Sequence, residues 1–319
     1  MTLYLNNKTA LRFWCMAEHS IDELTTSSNV LEVLDADVSI RLIPEELLCI
    51  LGSKQQVFHL LVGRAGQRTK SSRIVFHTRT KPYPKGAFRR YSPEILIVSP
   101  ELCFFEMTNE LPFLKLVEFG FFLCGTYTLN PNTEKPNDRL PLTTKRKLAS
   151  FAKRMGTASG CRIAQRALSL ILEGSASPRE TKTTMLLCLP TKMGGYGFTW
   201  PILNHRIDFN ESEQLLFGRP YVVLDLYWPE YHLGVEYDGG KGHTDEADVS
   251  RDRRKNSELN YKGIDVIRID KEQLSSPYQV YVLAKKIARM MHIIIRRPTQ
   301  LQLKNRRELF YTIMNKHVD

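Results

Sequence analysis

The chain has 319 residues, of which 42% are hydrophobic and 25% charged, as in a globular protein of one large or two average domains. Its longest apolar stretch, 119–124, is far too short to cross a bilayer, so we expect no membrane association. The formal net charge is +11, and 251–319 alone carries 16 Lys or Arg against 7 Asp or Glu. This basic region favours a polyanionic partner such as nucleic acid, although solvated helix faces give the same pattern.

The cysteines and the N-terminus both favour a cytoplasmic location. The six cysteines are widely spaced and include no CxxC pair: Cys15, Cys49, Cys103, Cys124, Cys161 and Cys188. We therefore expect buried thiols in a reducing compartment and no zinc site. Residues 2–8 lack the basic start and apolar core of a secretion signal.

The first 128 residues predict a mixed α and β domain. Helical spacing of apolar residues predicts a first helix that ends near Met16 and has Asn7 as its cap. Apolar runs predict strands at 56–62, 72–77 and 94–98. Ser99 and Pro100 then form the cap and the first position of another helix.

Residues 129–176 are interpreted as a linker with short helices. The stretch 129–145 is too rich in Pro and Asn for a regular element. Two helical segments follow, at 146–154 and 161–173.

Residues 177–295 predict a second domain in the order αβββαβα, with a mixed sheet. We expect helices at 178–189, 245–262 and 277–293 and strands at 202–209, 221–228, 233–238 and 264–269. A basic tail helix is expected within 296–319. The predicted fold class is therefore α/β (α+β), built from two mixed domains.

Three carboxylates converge on the predicted hairpin of 221–228 and 233–238. If Trp228 faces Leu233 across the turn, Asp225 faces Glu236. Because side chains alternate along a strand, Glu236 and Asp238 share one face.

Carboxylates this close repel one another unless a proton or a cation lies among them, and a hard divalent ion suits oxygen ligands best. We therefore predict a Mg²⁺ site at Asp225, Glu236 and Asp238, with Mn²⁺ as a substitute. Such an ion polarises a phosphodiester and activates a water. The alternative is three strand-end acids on a solvent-facing hairpin.

Residues after the hairpin are candidates for proton transfer and phosphate contact. His243 follows a Gly-rich loop and is a candidate general base or acid; its alternative is a plain surface histidine. The candidate nucleic-acid contacts are basic residues of this loop and of the next helix: Lys241, Arg251, Arg253, Arg254 and Lys255. A solvated helix surface is the alternative for that cluster.

Glu180 stands three residues after Ser177, in the spacing of a capping box. In that motif the Glu carboxylate accepts a hydrogen bond from the backbone N–H of the cap residue. The local sequence therefore favours a capping role for Glu180.

Together these residues give the second domain a family resemblance. From Ser177 to about Ile269 the chain resembles the PD-(D/E)XK nuclease superfamily, in particular the bacterial domain-of-unknown-function proteins related to the very-short-patch-repair endonucleases. The matching positions are Ser177-Pro178-Arg179-Glu180-Thr181, Asp225, Val235-Glu236-Tyr237-Asp238-Gly239, His243, Asp252-Arg253-Arg254, Leu259 and Gly263-Ile264-Asp265-Val266-Ile267-Arg268.

The resemblance implies a restriction-endonuclease-like αβββαβ core and specific residue roles. It makes Asp225 the principal metal ligand, helped by Glu236 or Asp238 and by the main-chain carbonyl of Tyr237. It makes His243 the catalytic histidine, and it gives Glu180 a catalytic role beside its capping role.

The chain departs from the superfamily pattern at two positions. Asp238 replaces the motif lysine, so Lys241 or an arginine of the 251–255 cluster supplies the catalytic cation, or no residue does. Gly242 stands where repair-type relatives carry an aromatic wedge, so mismatch repair is not implied.

The first half has its own likeness: 56–129 is similar in pattern to AbiEi-type domains, and we expect it to supply regulation or target choice. The leading hypothesis is a Mg²⁺-dependent DNA endonuclease acting in phage defence or mobile-element conflict. The alternatives are a DNA-binding regulator with a decayed site and a toxin–antitoxin component bound to a neighbouring-gene protein. The resemblance also implies that a homodimer cuts the two strands.

Overall fold

The computed structural model describes 3–17, 25–27, 57–63, 72–79, 82–129, 137–237 and 246–314, together with positions 45 and 48; for 25–27 and 246–253 it describes the backbone alone. The chain divides into two units, Met1–Glu173 and Gly174–Asp319. Each unit combines helices with one mixed sheet, so the predicted mixed α/β class is confirmed.

The sheet of the first unit has six strands in the order β2-β5-β6-β1-β3-β4. The strands are β1 (Leu3–Leu5), β2 (Thr25–Ser27), β3 (Phe58–Val62), β4 (Ile74–Thr78), β5 (Phe88–Ser92) and β6 (Ile95–Val98). β1 runs parallel to β6 and β3 parallel to β4, and the other neighbours are antiparallel. The three strands predicted in this half are confirmed as β3, β4 and β6, while β1, β2 and β5 were not predicted.

The described helices of the first unit are α1 (Asn7–Met16), α2 (Pro100–Glu106), α3 (Phe113–Leu123), α4 (Lys145–Arg154) and α5 (Cys161–Leu168). Ser99 caps α2 as predicted, because its hydroxyl accepts a hydrogen bond from the backbone N–H of Leu102. The prediction that Asn7 caps α1 was wrong. Asn7 is the first helical residue, and its N–H donates to the carboxylate of Glu106 at 2.8 Å.

Aromatic side chains fill the core of the first unit. Trp14 of α1 is fully buried and its indole N–H donates to the carbonyl of Val98 at 2.9 Å. Phe104 of α2 and Phe119 and Phe122 of α3 stack in sequence with centroid separations of 6.5 and 6.1 Å. The apolar run at 119–124 is therefore buried on all sides, at the C-terminal end of α3.

α4 and α5 lie within the first unit, although the sequence favoured a linker over 129–176. Leu148 and Phe151 of α4 and Ala164 and Ala167 of α5 are buried. The two helices contact each other, α4 contacts α2, and α5 contacts α3. Of the predicted linker, 130–136 lie outside the described residues.

The second unit contains α6 (Pro178–Cys188), β7 (Ile202–Asp208), α7 (Glu211–Phe217), β8 (Tyr221–Trp228), β9 (Leu233–Tyr237), α8 (Glu246–Tyr261), β10 (Asp265–Ile269), α9 (Pro277–Met290) and α10 (Gln300–Met314). Its sheet has the order β10-β9-β8-β7, with β10 parallel to β9 and the other pairs antiparallel. The predicted elements of this half occur close to their predicted bounds, and α7 is an addition.

Helix α7 was not predicted from the sequence, because it has only seven residues and no continuous apolar stripe. Leu215 and Leu216 are 88% and 63% exposed, which breaks the amphipathic pattern. The local capping signals are nevertheless complete. Asn210 and Glu213 form a capping box, and Gly218 ends the helix with a φ of 67°.

The β8–β9 hairpin brings two of the candidate carboxylates, Asp225 and Glu236, to neighbouring positions. A turn of 3-10 helix at Pro229–Tyr231 joins the strands, and Trp228 pairs with Leu233, the pairing that was supposed from the sequence. Gly234 of β9 leaves room for the side chain of Leu224 on β8, because a Cβ at position 234 would meet both methyl carbons of Leu224 at 3.0 Å.

None of the helices in the described ranges combines the length and the apolar character needed to cross a membrane.

Candidate functional site

Asp225 lies on β8, an inner strand of the second unit's sheet, and has no ladder partner on either neighbouring strand. On the β7 side, the pairs Leu203–Leu226 and His205–Leu224 place Asn204 opposite Asp225. On the β9 side, the register that pairs Leu226 with Val235 places Glu236 next to Asp225. The three polar side chains therefore occupy neighbouring positions on adjacent strands.

The carboxylate of Asp225 bonds to the backbone of the neighbouring strand β9. Its Oδ2 accepts a hydrogen bond from the backbone N–H of Tyr237 at 2.8 Å. Burial raises the pKa of Asp225 from 3.8 to about 6, and the positive charge of Lys255 partly offsets this effect. Asp225 is thus anchored to β9 by a hydrogen bond, in a site that disfavours an uncompensated negative charge.

Lys255 extends from α8 into this site. Its ammonium donates hydrogen bonds to Glu236 Oε1 and to the carbonyl of Val223, the latter at 2.7 Å. The Lys255 side chain is 23% exposed and that of Glu236 11%. Burial raises the pKa of Glu236, while the Lys255 charge and hydrogen bond lower it. The pair is a partly buried ion pair beside Asp225.

Glu180, near the start of α6, belongs to the same electrostatic group. Burial and then the charge of Asp225 raise the pKa of Glu180 from 4.5 to about 7. Its Oε2 accepts hydrogen bonds from the backbone N–H of Ala176 at 2.8 Å and from Asn204 Nδ2 at 2.6 Å.

The prediction that Glu180 completes a capping box with Ser177 was wrong. Ser177 is the N-cap, because its hydroxyl accepts from the Glu180 N–H at 3.1 Å. The Glu180 carboxylate does not complete the capping box, since it bonds to the N–H of Ala176, one residue before the cap. This offset turns the carboxylate toward Asn204.

Asn204 was not among the site residues predicted from the sequence. It has a φ of 48°, in the left-handed region, and Nδ2 donates to the carbonyl of Gly174 at 2.9 Å as well as to Glu180. Asn tolerates this backbone conformation better than most residues. The available signal was the unusual polar run Asn204-His205-Arg206 inside a predicted strand.

Tyr237 and Arg179 form one border of the site. The Arg179 guanidinium lies 4.7 Å from the ring centre of Tyr237 and donates a hydrogen bond to its hydroxyl. The proposed role of the Tyr237 main-chain carbonyl as a metal ligand stays a prediction.

Arg254, expected to contact nucleic acid, has intramolecular partners. Its guanidinium bonds to the carbonyl of Phe217 and lies 3.4 Å from the carboxylate of Glu258. Glu258 is fully buried and also pairs with Arg219. These contacts connect α8 to the end of α7 and to the residues after it.

Arg268 was noted in the sequence only as part of a motif. It pairs with Glu236 in the parallel β9–β10 ladder and donates to Asn256 at 3.3 Å. Its charge acts with that of Lys255 in lowering the pKa of Glu236.

The remaining predicted site residues are not placed. Asp238, Lys241 and His243 lie outside the described residues, and Arg251 and Arg253 lie on α8 where only the backbone is described. Among the residues that the structure describes, no group of three or more His, Cys, Asp or Glu could hold a metal ion.

The described donors still fit a hard divalent cation of the Mg²⁺ type, which typically takes one or two carboxylates and completes its shell with water and substrate. Within the described part of the chain, Asp225 Oδ1 and Glu236 Oε2 accept no hydrogen bond, whereas Asp225 Oδ2 and Glu236 Oε1 do. Each carboxylate therefore keeps one oxygen for a further partner. The raised pKa values of Asp225 and Glu236 reflect a site that a cation would stabilise.

Comparisons of the chain with protein-family models, curated proteins and solved structures found no match.

Proposed function

We propose that the second unit is a Mg²⁺-dependent endodeoxyribonuclease of the PD-(D/E)XK type. The observation that carries the proposal is the contact between the Lys255 ammonium and the Glu236 carboxylate beside Asp225. Two carboxylates and a lysine are what the superfamily resemblance calls for, and here the lysine comes from a helix. Lys255 thus occupies the role left open where Asp238 stands in place of the motif lysine.

In this proposal, Asp225 and Glu236 hold the ion, which would polarise the scissile phosphodiester and lower the pKa of an attacking water. The hydrogen bond from the Tyr237 N–H fixes the orientation of Asp225 before any ligand arrives. Such preorganisation limits the rearrangement needed when substrate binds.

Lys255 supplies the positive charge. Its ammonium is fixed by Val223 and Glu236, so its position varies little when charge develops on the phosphate oxygens. A cation fixed in this way stabilises the transition state more than a freely moving one does.

Glu180 is suited to proton transfer, because its pKa of about 7 lies near the working pH. Asn204 and Ala176 hold its Oε2 in place. We therefore assign Glu180 as a proton-exchanging group and Asn204 as its positioning residue.

The test is digestion of supercoiled plasmid by the full chain in Mg²⁺, in Mn²⁺ and in EDTA. We expect nicked and linear products with either metal and none in EDTA. Asp225→Asn should abolish cleavage while leaving the thermal unfolding midpoint within a few degrees of the parent. Digestion by Asp225→Asn at the parental rate would overturn the assignment.

The digestion, combined with a gel-shift assay, distinguishes a nuclease from a DNA-binding regulator that has no catalytic activity. A gel shift with no cleavage in either metal, on plasmid and on single-stranded DNA, would favour the regulator. Cleavage of an RNA duplex in preference to DNA would keep the site and change the substrate.

A further inference from the structure

The outer face of α4 and α5, in the first unit, is basic and contains no acidic residue. We define the α4–α5 face by four of the exposed basic side chains of these helices, Arg146 and Lys153 of α4 and Arg162 and Arg166 of α5. The opposite sides of both helices are apolar and buried, so each helix is amphipathic. The charged side chains are therefore the solvent-facing half of a packed pair.

The charge of this region is one-sided over a long stretch. Between Asp138 and Glu173 there are eight Lys or Arg and no Asp or Glu. Glu173 itself bonds to the backbone N–H of Lys145 at the start of α4, at 2.6 Å. It therefore caps a helix end and does not pair with the charged face.

Several of the eight cations have internal roles and several do not. Arg139 is buried and donates to three backbone carbonyls, and Lys145 donates to the carbonyl of Ile171. Arg166 lies over the ring of Phe113 at 4.3 Å. Arg146, Lys153 and Arg162 are exposed and form no ion pair with any residue in the described ranges.

We propose that the α4–α5 face binds the sugar–phosphate backbone of a nucleic acid. Like charges without counter-charges repel one another, and a polyanion relieves that repulsion while releasing its own condensed ions. Arg146 and Lys153 lie two helical turns apart, roughly 10 Å along α4, so they reach successive positions on one strand. Contacts of this kind position a protein on a duplex without reading its sequence.

The chemistry of the face favours nucleic acid over a lipid surface. Helices that lie in a membrane interface carry large apolar or aromatic side chains that insert among the lipids. Across 145–168, all of which the structure describes, the exposed large apolar side chain is Ile163, at 40%. One partly exposed isoleucine does not supply an inserting face.

This inference goes beyond the proposed nuclease, because it concerns the first unit and requires no cleavage. It gives that unit a physical task, which is to hold the polymer.

The experiment measures binding of the full chain to a fluorescein-labelled 30-base-pair duplex by anisotropy, in EDTA, over a series of NaCl concentrations. We expect the triple variant Arg146→Gln, Lys153→Gln, Arg162→Gln to bind about tenfold more weakly near 0.1 M salt. The slope of log K against log salt should fall by about 2.7, at roughly 0.9 per lost phosphate contact.

The matched control removes the same formal charge elsewhere, through Arg206→Gln, Lys262→Gln and Lys271→Gln. Arg206 and Lys262 already pair with Asp208 and Glu213, and Lys271 stands between Asp270 and Glu272. We expect the control slope to change by less than about 1. A second variant, Arg146→Lys with Arg162→Lys, keeps the positive charge of the face and should retain most of the parental affinity for the duplex.

Equal slopes for the Gln triple and the parent, with unchanged thermal unfolding, would overturn the proposal. The proposal would also be overturned if the Gln triple lost more affinity for phosphatidylserine vesicles than for the duplex, since that result identifies a membrane surface. Failure of the nuclease proposal gives a different result. Asp225→Asn would then cut plasmid at the parental rate, while the salt slopes of the parent and the Gln triple would still differ.

Discussion

Lys255 of α8 donates a hydrogen bond to Glu236 of β9, and this contact joins a residue expected on the nucleic-acid surface to one expected at the metal. The lysine also donates to the carbonyl of Val223 at 2.7 Å, so it is attached to two neighbouring strands. Among the described cations, the Lys255 ammonium has the largest effect on both carboxylates, since its charge lowers the pKa of Asp225 and that of Glu236.

Lys255→Gln should lower the single-turnover rate of plasmid cleavage by roughly 10²–10³, the usual effect of removing a fixed charge that stabilises a transition state. Lys255→Arg should recover only part of the rate, since a planar guanidinium does not fit the two acceptors of a compact ammonium. The control is Lys262→Gln, which breaks the Lys262–Glu213 pair at 3.0 Å just after the C-terminus of α8. Equal rates for Lys255→Gln and the control would contradict the assigned role.

Mg²⁺ should raise the unfolding temperature of the parent and not that of Asp225→Asn or Glu236→Gln. A ligand that binds only the folded chain stabilises it by about 1.4 kcal/mol at a tenfold excess over its Kd, equivalent to a few degrees. Glu211→Gln, an exposed acid in the first turn of α7, is the matched control and should keep the shift. Calorimetry with and without millimolar Mg²⁺ gives the readout, and an unchanged shift in Asp225→Asn would place the ion elsewhere.

Glu180 should make stability depend on pH. Its folded pKa of about 7 lies above the ordinary 4.5, so the folded chain binds this proton more tightly than the unfolded chain. The resulting stabilisation is fully present below pH 4.5 and is lost as pH rises through about 7.

Urea unfolding at pH 5 and pH 8 in EDTA checks this dependence. The stability difference between parent and Glu180→Gln should change by roughly 1–3 kcal/mol between the two values, in favour of the variant at pH 8. Glu230→Gln, at an exposed turn position, should show no such change. Parallel pH curves for parent and Glu180→Gln would contradict the raised pKa.

The hairpin could be predicted from sequence because its register follows from local rules. A short turn fixes which residues pair, and strand alternation then decides which side chains share a face. The pairing of Trp228 with Leu233, which was supposed on these rules, is present in the structure. The mixed α and β class follows equally from apolar periodicity.

The lysine contact could not be predicted in the same way. The sequence shows that 251–255 is basic, but the side that a polar helix turns toward a sheet depends on packing between elements distant in sequence. Leu259, fully buried in the second unit's core, fixes that side for α8. Lys255 is four residues earlier and lies on the same face, so it enters the site while Arg254 turns to Glu258.

Asn204 should be the most informative positioning residue. Asn204→Ala removes the donor shared by Glu180 and Gly174 and places a residue with poorer tolerance in the left-handed region. We expect a loss of about 1–3 kcal/mol of stability. Asn204→Gly removes the same donor but adopts the left-handed conformation without strain. The difference in unfolding free energy between the two variants therefore measures the cost of backbone strain. The pH dependence assigned to Glu180 should change in both, and an unaltered pH profile would show that Asn204 does not act through Glu180.

Gly234 should tolerate no side chain while Leu224 keeps its full size. A Cβ at Gly234 would meet the two Leu224 methyl carbons at 3.0 Å, in the strand that positions Asp225. We expect Gly234→Ala to lose about 1–3 kcal/mol through overpacking. Leu224→Val removes part of the obstruction, so the double variant should be more stable than the sum of the two single losses predicts. Chemical unfolding of the parent, the two single variants and the double variant gives the coupling energy. Strict additivity would mean that the hairpin relieves the contact by moving. In that case Asp225 should lose its hydrogen bond from the Tyr237 N–H, and the rate of cleavage should fall.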